Sequence, residues 1–143
     1  YAAHMDLVSI HPVFILDTSA SPIYTSYGPY PPAKFVHGHH GRFGEALNSA
    51  VSPGVVISGA RVNDSVISPD VRVHSYTEID ASVILDSVKI GRHCRIRKTI
   101  IDKSVTIPDG TSIGYDKVHA IARGFSVTDS GITVVGKGQV VTP

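Results

Sequence analysis

Residues 64–107, DSVISPDVRVHSYTEIDASVILDSVKIGRHCRIRKTIIDKSVTI, repeat on a 17-residue beat: DSVISPDVRV at 64–73 returns as ASVILDSVKI at 81–90 and as KTIIDKSVTI at 98–107. Sorted on that beat, the aliphatic residues fall into columns six, six and five positions apart. One column holds Ala50, Ile67, Ile84 and Ile101, the next Val56, Val73, Ile90 and Ile107, the third Val62, Ile79, Ile96 and Ile113. Four positions after each stands a second inward candidate: Gly54, Val71, Val88 and Val105; then Ala60, Thr77, Cys94 and Thr111; then Val66, Val83 and Ile100. Two inward residues per side, most of them β-branched, describe short strands joined by corners.

A side this short cannot bury its own apolar face. It is stable only when coils stack and each column touches itself above and below. The columns therefore predict a mainly β chain, a parallel β-helix of hexapeptide repeats with triangular section and about four coils over 50–117. It is left-handed by resemblance to other hexapeptide-repeat proteins. Lys117 falls where a valine or isoleucine is due, so the stack ends there.

The register also places single residues. Cys94 shares a column with Ala60, Thr77 and Thr111, which reads as a small buried residue rather than a reactive thiol. Outward residues 17 apart become neighbours at about the 4.8 Å strand spacing. Glu78 then meets Arg95, Asp80 meets Arg97 and Asp86 meets Lys103, as cross-strand ion pairs. GRHCRIRK at 91–98, basic when read in one dimension, becomes mostly a set of charge ladders.

Composition narrows the function. Hydrophobic residues make up 42% of the 143 and charged residues 17%, enough for a buried core in one domain of ordinary size. A formal charge of +1 gives no general drive toward nucleic acid or an anionic membrane surface. One cysteine excludes an intramolecular disulfide framework and fits a reducing compartment. With no apolar run near bilayer length and no signal-peptide pattern, the expected location is the cytoplasm.

Two flanks surround the coils. Residues 1–49 read as the end of a helix, AAHMDLVS, followed by a Pro/Gly/Tyr-rich connector whose densest part, TSASPIYTSYGPYPPA, covers 18–33. Residues 118–143 read as a tail: VHAIARGF as a short helix or turn, then FSVTDSGITVVGKG as two strands around Asp-Ser-Gly in a hairpin-like arrangement. His37, His39 and His40 cluster in VHGHHG, but without Cys or acidic partners at ligand spacing they read as a surface loop, and no metal site is assigned.

The segments AHMDLVSIHPVF, PPAKFV, VISGARV, IDKSVTIPDG and GITVVGKGQVV together resemble the C-terminal part of bacterial ADP-glucose pyrophosphorylase, or glucose-1-phosphate adenylyltransferase, over nearly the whole chain. The resemblance implies a regulatory and oligomerisation domain in glycogen biosynthesis. Its partners would be its own catalytic domain and sister subunits, a tetramer in the family. It also implies a sugar-phosphate or nucleotide effector, contacted by Lys103 in IDKSVTIP and Lys137 in VVGKGQ. ATP and Mg²⁺ belong, on this reading, to the catalytic domain; this chain carries no catalytic residue and no cofactor of its own. Lys34 belongs to the PPAKF motif, and the family's Trp before Pro22 is replaced by Ser21.

Two other readings stand beside it. One is a trimeric hexapeptide acyltransferase using a coil histidine as general base, for which His74 and His93 occupy different columns. The other is a purely structural β-helix module that pairs through its ends.

Overall fold

The computed structural model describes residues 1–13, 15, 28–39 and 41–143. Most of the connector, including Ser21 and Pro22, and also His40, lie outside the described residues. After a short helix α1 (Ala2–Asp6) the chain winds in coils of three short strands. These are β1 (Lys34–Val36), β2 (Glu45–Leu47) and β3 (Ala50–Val51); β4 (Val56–Ser58), β5 (Arg61–Asn63) and β6 (Val66–Ile67); β7 (Arg72–Val73), β8 (Glu78–Asp80) and β9 (Val83–Ile84); and β10 (Lys89–Ile90), β11 (Arg95–Arg97) and β12 (Thr99–Ile101). β13 (Thr106–Ile107) and β14 (Ser112–Ile113) follow, then α2 (Lys117–Ala122), β15 (Ser126–Val127) and β16 (Thr133–Val135).

Each side stacks on its equivalent in the next coil, making three sheets ordered β1-β4-β7-β10-β13, β2-β5-β8-β11-β14 and β3-β6-β9-β12-β16-β15. The rungs are parallel, as a solenoid requires; only β15 and β16 pair antiparallel among the named strands. Val73, Ile90 and Ile107 are register partners in the first sheet, Val62, Ile79, Ile96 and Ile113 in the second, Ile67, Ile84 and Ile101 in the third. All are buried. Burying one such side chain contributes about 1.5–3 kcal/mol relative to leaving it exposed, so the columns are the main source of stability.

The first coil departs from the 17-residue beat. Val51 rather than Ala50 stands over Ile67, and Ile57 rather than Val56 over Val73, a step of 16. Val55, fully buried, stands level with Val71 in place of Gly54, again a step of 16. The cause lies between Ile57 and Val62, where Ser58-Gly59-Ala60-Arg61 spans a side that takes one residue more between Val73 and Ile79. Gly59, at φ +65°, makes the shorter corner. The sheets also reach back to Lys34, ahead of residue 50, because β1 and β2 pair with β4 and β5. The loop between β1 and β2, closed by a Gly38–Arg42 bridge, masks this in the sequence by breaking the period.

The third corner corrects a second expectation. Val66, Val83 and Ile100 point outward, and Ser65, Ser82 and Thr99 are the buried residues beside them. Each hydroxyl donates to the carbonyl two residues back (Ser65 to Asn63, 2.6 Å; Ser82 to Asp80, 2.7 Å; Thr99 to Arg97, 2.8 Å), and those of Ser65 and Ser82 also accept the N–H of the next rung, Ser82 N at 3.0 Å and Thr99 N at 3.2 Å. A five-residue side leaves a tight corner, and a small hydroxyl fills it while satisfying backbone donors that the strand ladder cannot reach.

Corners also explain why left-handed backbone recurs in columns. Asn48, Asp64, Ala81 and Lys98 take φ of 44–46° at the third corner, and Tyr76 and His93 take 63° and 56° at the second. Such a conformation costs about 1–3 kcal/mol for a residue with a Cβ and persists where the surrounding ladder fixes it.

The two ends differ. At the C-terminal end Asp116 caps α2, accepting from Val118 N at 2.8 Å and His119 N at 3.1 Å, and Ala120 and Phe125 are buried. At the N-terminal end, among the described residues, no strand lies beyond β1, β2 and β3. Phe35, which stacks on Ile57, is 43% exposed there, and Leu47 and Phe43 are exposed nearby. No described helix is long and apolar enough to cross a membrane.

Candidate functional site

The three outward faces carry different chemistry. The second sheet reads Glu45, Arg61, Glu78, Arg95 in register, an alternating ladder. Arg61 Nε lies 2.5 Å from Glu45 Oε1, and Arg97 Nε lies 3.2 Å from Asp80 Oδ2. The expected Glu78–Arg95 pair does not form; Arg95 instead places its guanidinium 4.6 Å from the centre of the Tyr115 ring. The third sheet turns Val66, Val83, Ile100 and Val134 outward, and Val83 is only 2% exposed. The N-terminal segment reaches this side, where the Tyr1 hydroxyl donates to Ala81 O at 2.6 Å. The first sheet sets Lys34, Val56, Arg72, Lys89 and Thr106 in one outward row. Lys34 of PPAKF thus belongs to the first rung of the solenoid.

The backbones of Lys103 and Lys137 come together at the corner between the third and first sheets. They are 34 residues apart in sequence, two beats of the repeat. β16 adds a further rung on β12, with Ile101 opposite Val135, so the tail re-enters the solenoid instead of standing as a separate hairpin. The residue after Ile101 then fixes the junction. Asp102 Oδ1 accepts the Lys103 N–H at 2.7 Å and Asp102 Oδ2 accepts the Lys137 N–H at 3.2 Å, while Asp102 N donates to Val135 O at 2.9 Å. One carboxylate therefore holds the backbone of both lysines. Gln139 closes the tail turn, its amide donating to Gly124 O at 2.7 Å and its carbonyl accepting from Gly136 N.

The side chains differ in company. Lys103 Nζ lies 3.7 Å from Asp86 Oδ2, with both groups well exposed. The Lys137 ammonium makes no ion pair among the described residues. Two cations on adjacent rungs with only one carboxylate contacting their heads leave donors for a doubly charged oxyanion.

Two arginines escaped the sequence reading. Arg123 donates from Nη1 to Ser112 O at 3.1 Å and lies 5.0 Å from the Phe125 ring centre, but its Nε and Nη2 are buried without partners among the described residues. Burial pushes its guanidinium below the ordinary arginine value. Arg42 Nε is buried and unpartnered in the same sense. Neither follows a motif, and only packing reveals them.

Other candidates resolve differently. Cys94 is buried and free, with Sγ 3.1 Å from Pro108 O, and burial pushes its thiol up. His37 Nδ1 accepts the Gly44 N–H at 3.1 Å and its ring meets Phe43 edge-on, which commits that lone pair; His39 is exposed. His93 stacks on Tyr76 at 4.9 Å in the second corner, whereas His74 follows β7 on the first sheet. Asp116 takes the Val118 and His119 N–H groups at the start of α2, and no described helix follows the GKG turn after β16, so neither place offers an open helix N-terminus to a phosphate.

Three stacked parallel sheets, short strands and left-handed corner columns define a hexapeptide-repeat β-solenoid. The family described as GlmU-like, C-terminal hexapeptide matches residues 31–135, and the chain belongs to it. Among curated relatives, the glucose-1-phosphate adenylyltransferase of Koribacter versatilis is 54% identical over 135 residues, 94% of this chain and 32% of that protein. Those of Bifidobacterium adolescentis and Deinococcus deserti are each 50% identical, over 99% and 96% of this chain and 34% and 33% of theirs. The chain thus spans about a third of the length of these relatives.

Proposed function

We propose that the chain is the regulatory and assembly part of a glucose-1-phosphate adenylyltransferase, acting in the cytoplasm in ADP-glucose synthesis. The ligand of this part is a sugar phosphate or a nucleotide, bound through phosphate at Lys103 and Lys137. Transfer chemistry, with its ATP and Mg²⁺, belongs to a catalytic domain as partner. The observation that carries this reading is the convergence of the two lysines on Asp102. Exposed Phe35 and Leu47, and the edges of β1, β2 and β3, which no further strand covers among the described residues, support assembly with sister subunits at that end.

Calorimetric titration with fructose 1,6-bisphosphate, and separately with AMP, tests the ligand reading. A charge-assisted contact of about 1.5 kcal/mol corresponds to roughly tenfold in affinity. Lys103→Ala and Lys137→Ala should each weaken binding by about that factor without loss of folded structure. Unchanged affinity in both variants removes the lysines from the site.

A further inference from the structure

Three carboxylates stand at the lysine corner, and they are engaged differently. Asp102 has both oxygens committed to backbone N–H groups, one from each lysine. Asp86 instead sits one rung below Lys103, Oδ2 3.7 Å from its ammonium. A third carboxylate on the same corner, Asp70, receives the Ser87 hydroxyl at 3.1 Å.

We infer that Asp86 is a built-in competitor for the anion: it occupies on Lys103 the place that a phosphate oxygen takes, so binding exchanges one oxyanion for another. The inference rests on the reading of Lys103 and Lys137 as phosphate-binding cations. A lysine ammonium offers three donors on a flexible stem and accepts carboxylate or phosphate oxygens alike. The backbone of Asp86 is fixed by the ladder, its carbonyl accepting Ser104 N at 2.9 Å, so the carboxylate is held beside every incoming ligand. Its side chain is 42% exposed, and once displaced it returns to water at little cost. The device sets a threshold without closing the site. Weakly bound monoanions lose to Asp86, whereas a dianion that also reaches Lys137 gains more than the exchange costs.

Asp86→Asn separates this role from a structural one. An exposed pair of this kind is equivalent to about two- to five-fold in affinity. The full chain is titrated with fructose 1,6-bisphosphate and with inorganic phosphate at fixed ionic strength, as wild type, Asp86→Asn, Asp70→Asn and Asp86→Asn/Lys103→Ala. Competition predicts two- to five-fold tighter binding in Asp86→Asn, wild-type affinity in Asp70→Asn, and no gain when Lys103 is also removed. If wild type binds and Asp86→Asn binds equally, or if Asp70→Asn gains as much through the general field, the competitor role is overturned while the lysine site stands. If neither wild type nor Asp86→Asn binds either anion, the lysine site fails and the competitor with it.

Discussion

Ile100 and Ile101 are adjacent on β12 and chemically identical, yet truncating them should have very different effects. Ile101 is fully buried between register partners Ile84 below and Val135 above. Ile101→Ala opens a cavity that the coil cannot close, since Leu85 N to Ile101 O (2.9 Å) and Asp102 N to Val135 O (2.9 Å) hold the rungs apart. Isoleucine-to-alanine changes in cores cost about 2–5 kcal/mol, and a site that cannot collapse falls in the upper half, about 3–5 kcal/mol. Ile100 faces outward and is only half-buried, so Ile100→Ala removes part of a transfer term and leaves no enclosed void, about 1 kcal/mol. Urea denaturation followed by far-ultraviolet circular dichroism measures both. Equal losses, or a larger loss at Ile100, would refute the assignment of the third corner and the inward role of Thr99.

Three further outcomes are expected. Asp102→Ala should free the tail from the corner, costing about 1–3 kcal/mol for two bonds to a charged acceptor, with faster hydrogen exchange at Thr133–Val135 as the readout. Ala81→Gly should leave stability unchanged or slightly raised, because glycine relieves the φ of 44° at little net cost, whereas Ala60→Gly, buried in the second sheet's column, should lose about 1 kcal/mol; thermal melts compare them. Burial holds the Cys94 thiol above its ordinary value of 9.0, so the folded state keeps a proton that the unfolded state releases: stability is complete below pH 9 and falls as pH rises further. Cys94→Thr, matching Thr77 and Thr111 in its column, should flatten that alkaline limb in denaturation curves between pH 8 and pH 11.

The sequence was readable where its period was strict. From Val62 onward the leading aliphatic columns coincide with the register partners, because a parallel ladder fixes identical spacing in every coil. The period failed at Gly59, where one residue fewer shifts Ala50, Gly54 and Val56 out of their columns, and before Ala50, where the loop after β1 interrupts the count. Hydropathy misled at the third corner. It favours Val83 over Ser82 for the interior, but room and unsatisfied N–H groups decide there, and both select the hydroxyl. At the candidate site the lysines were visible as residues, yet the approach of their backbones was not, since it depends on β16 returning to β12 across the unlike sequence of residues 102–132. Asp102 reads as an ordinary turn residue and gains meaning only from the two N–H groups it joins.

The most direct test of the lysine corner is to follow backbone amide resonances of the protein as fructose 1,6-bisphosphate is added. The predicted result is saturable shifts centred on the amides of Lys103, Ser104 and Lys137, absent in Lys103→Ala/Lys137→Ala. Saturable shifts confined to another face of the solenoid, such as the Lys34–Arg72–Lys89 row, with these three amides unmoved, would contradict it.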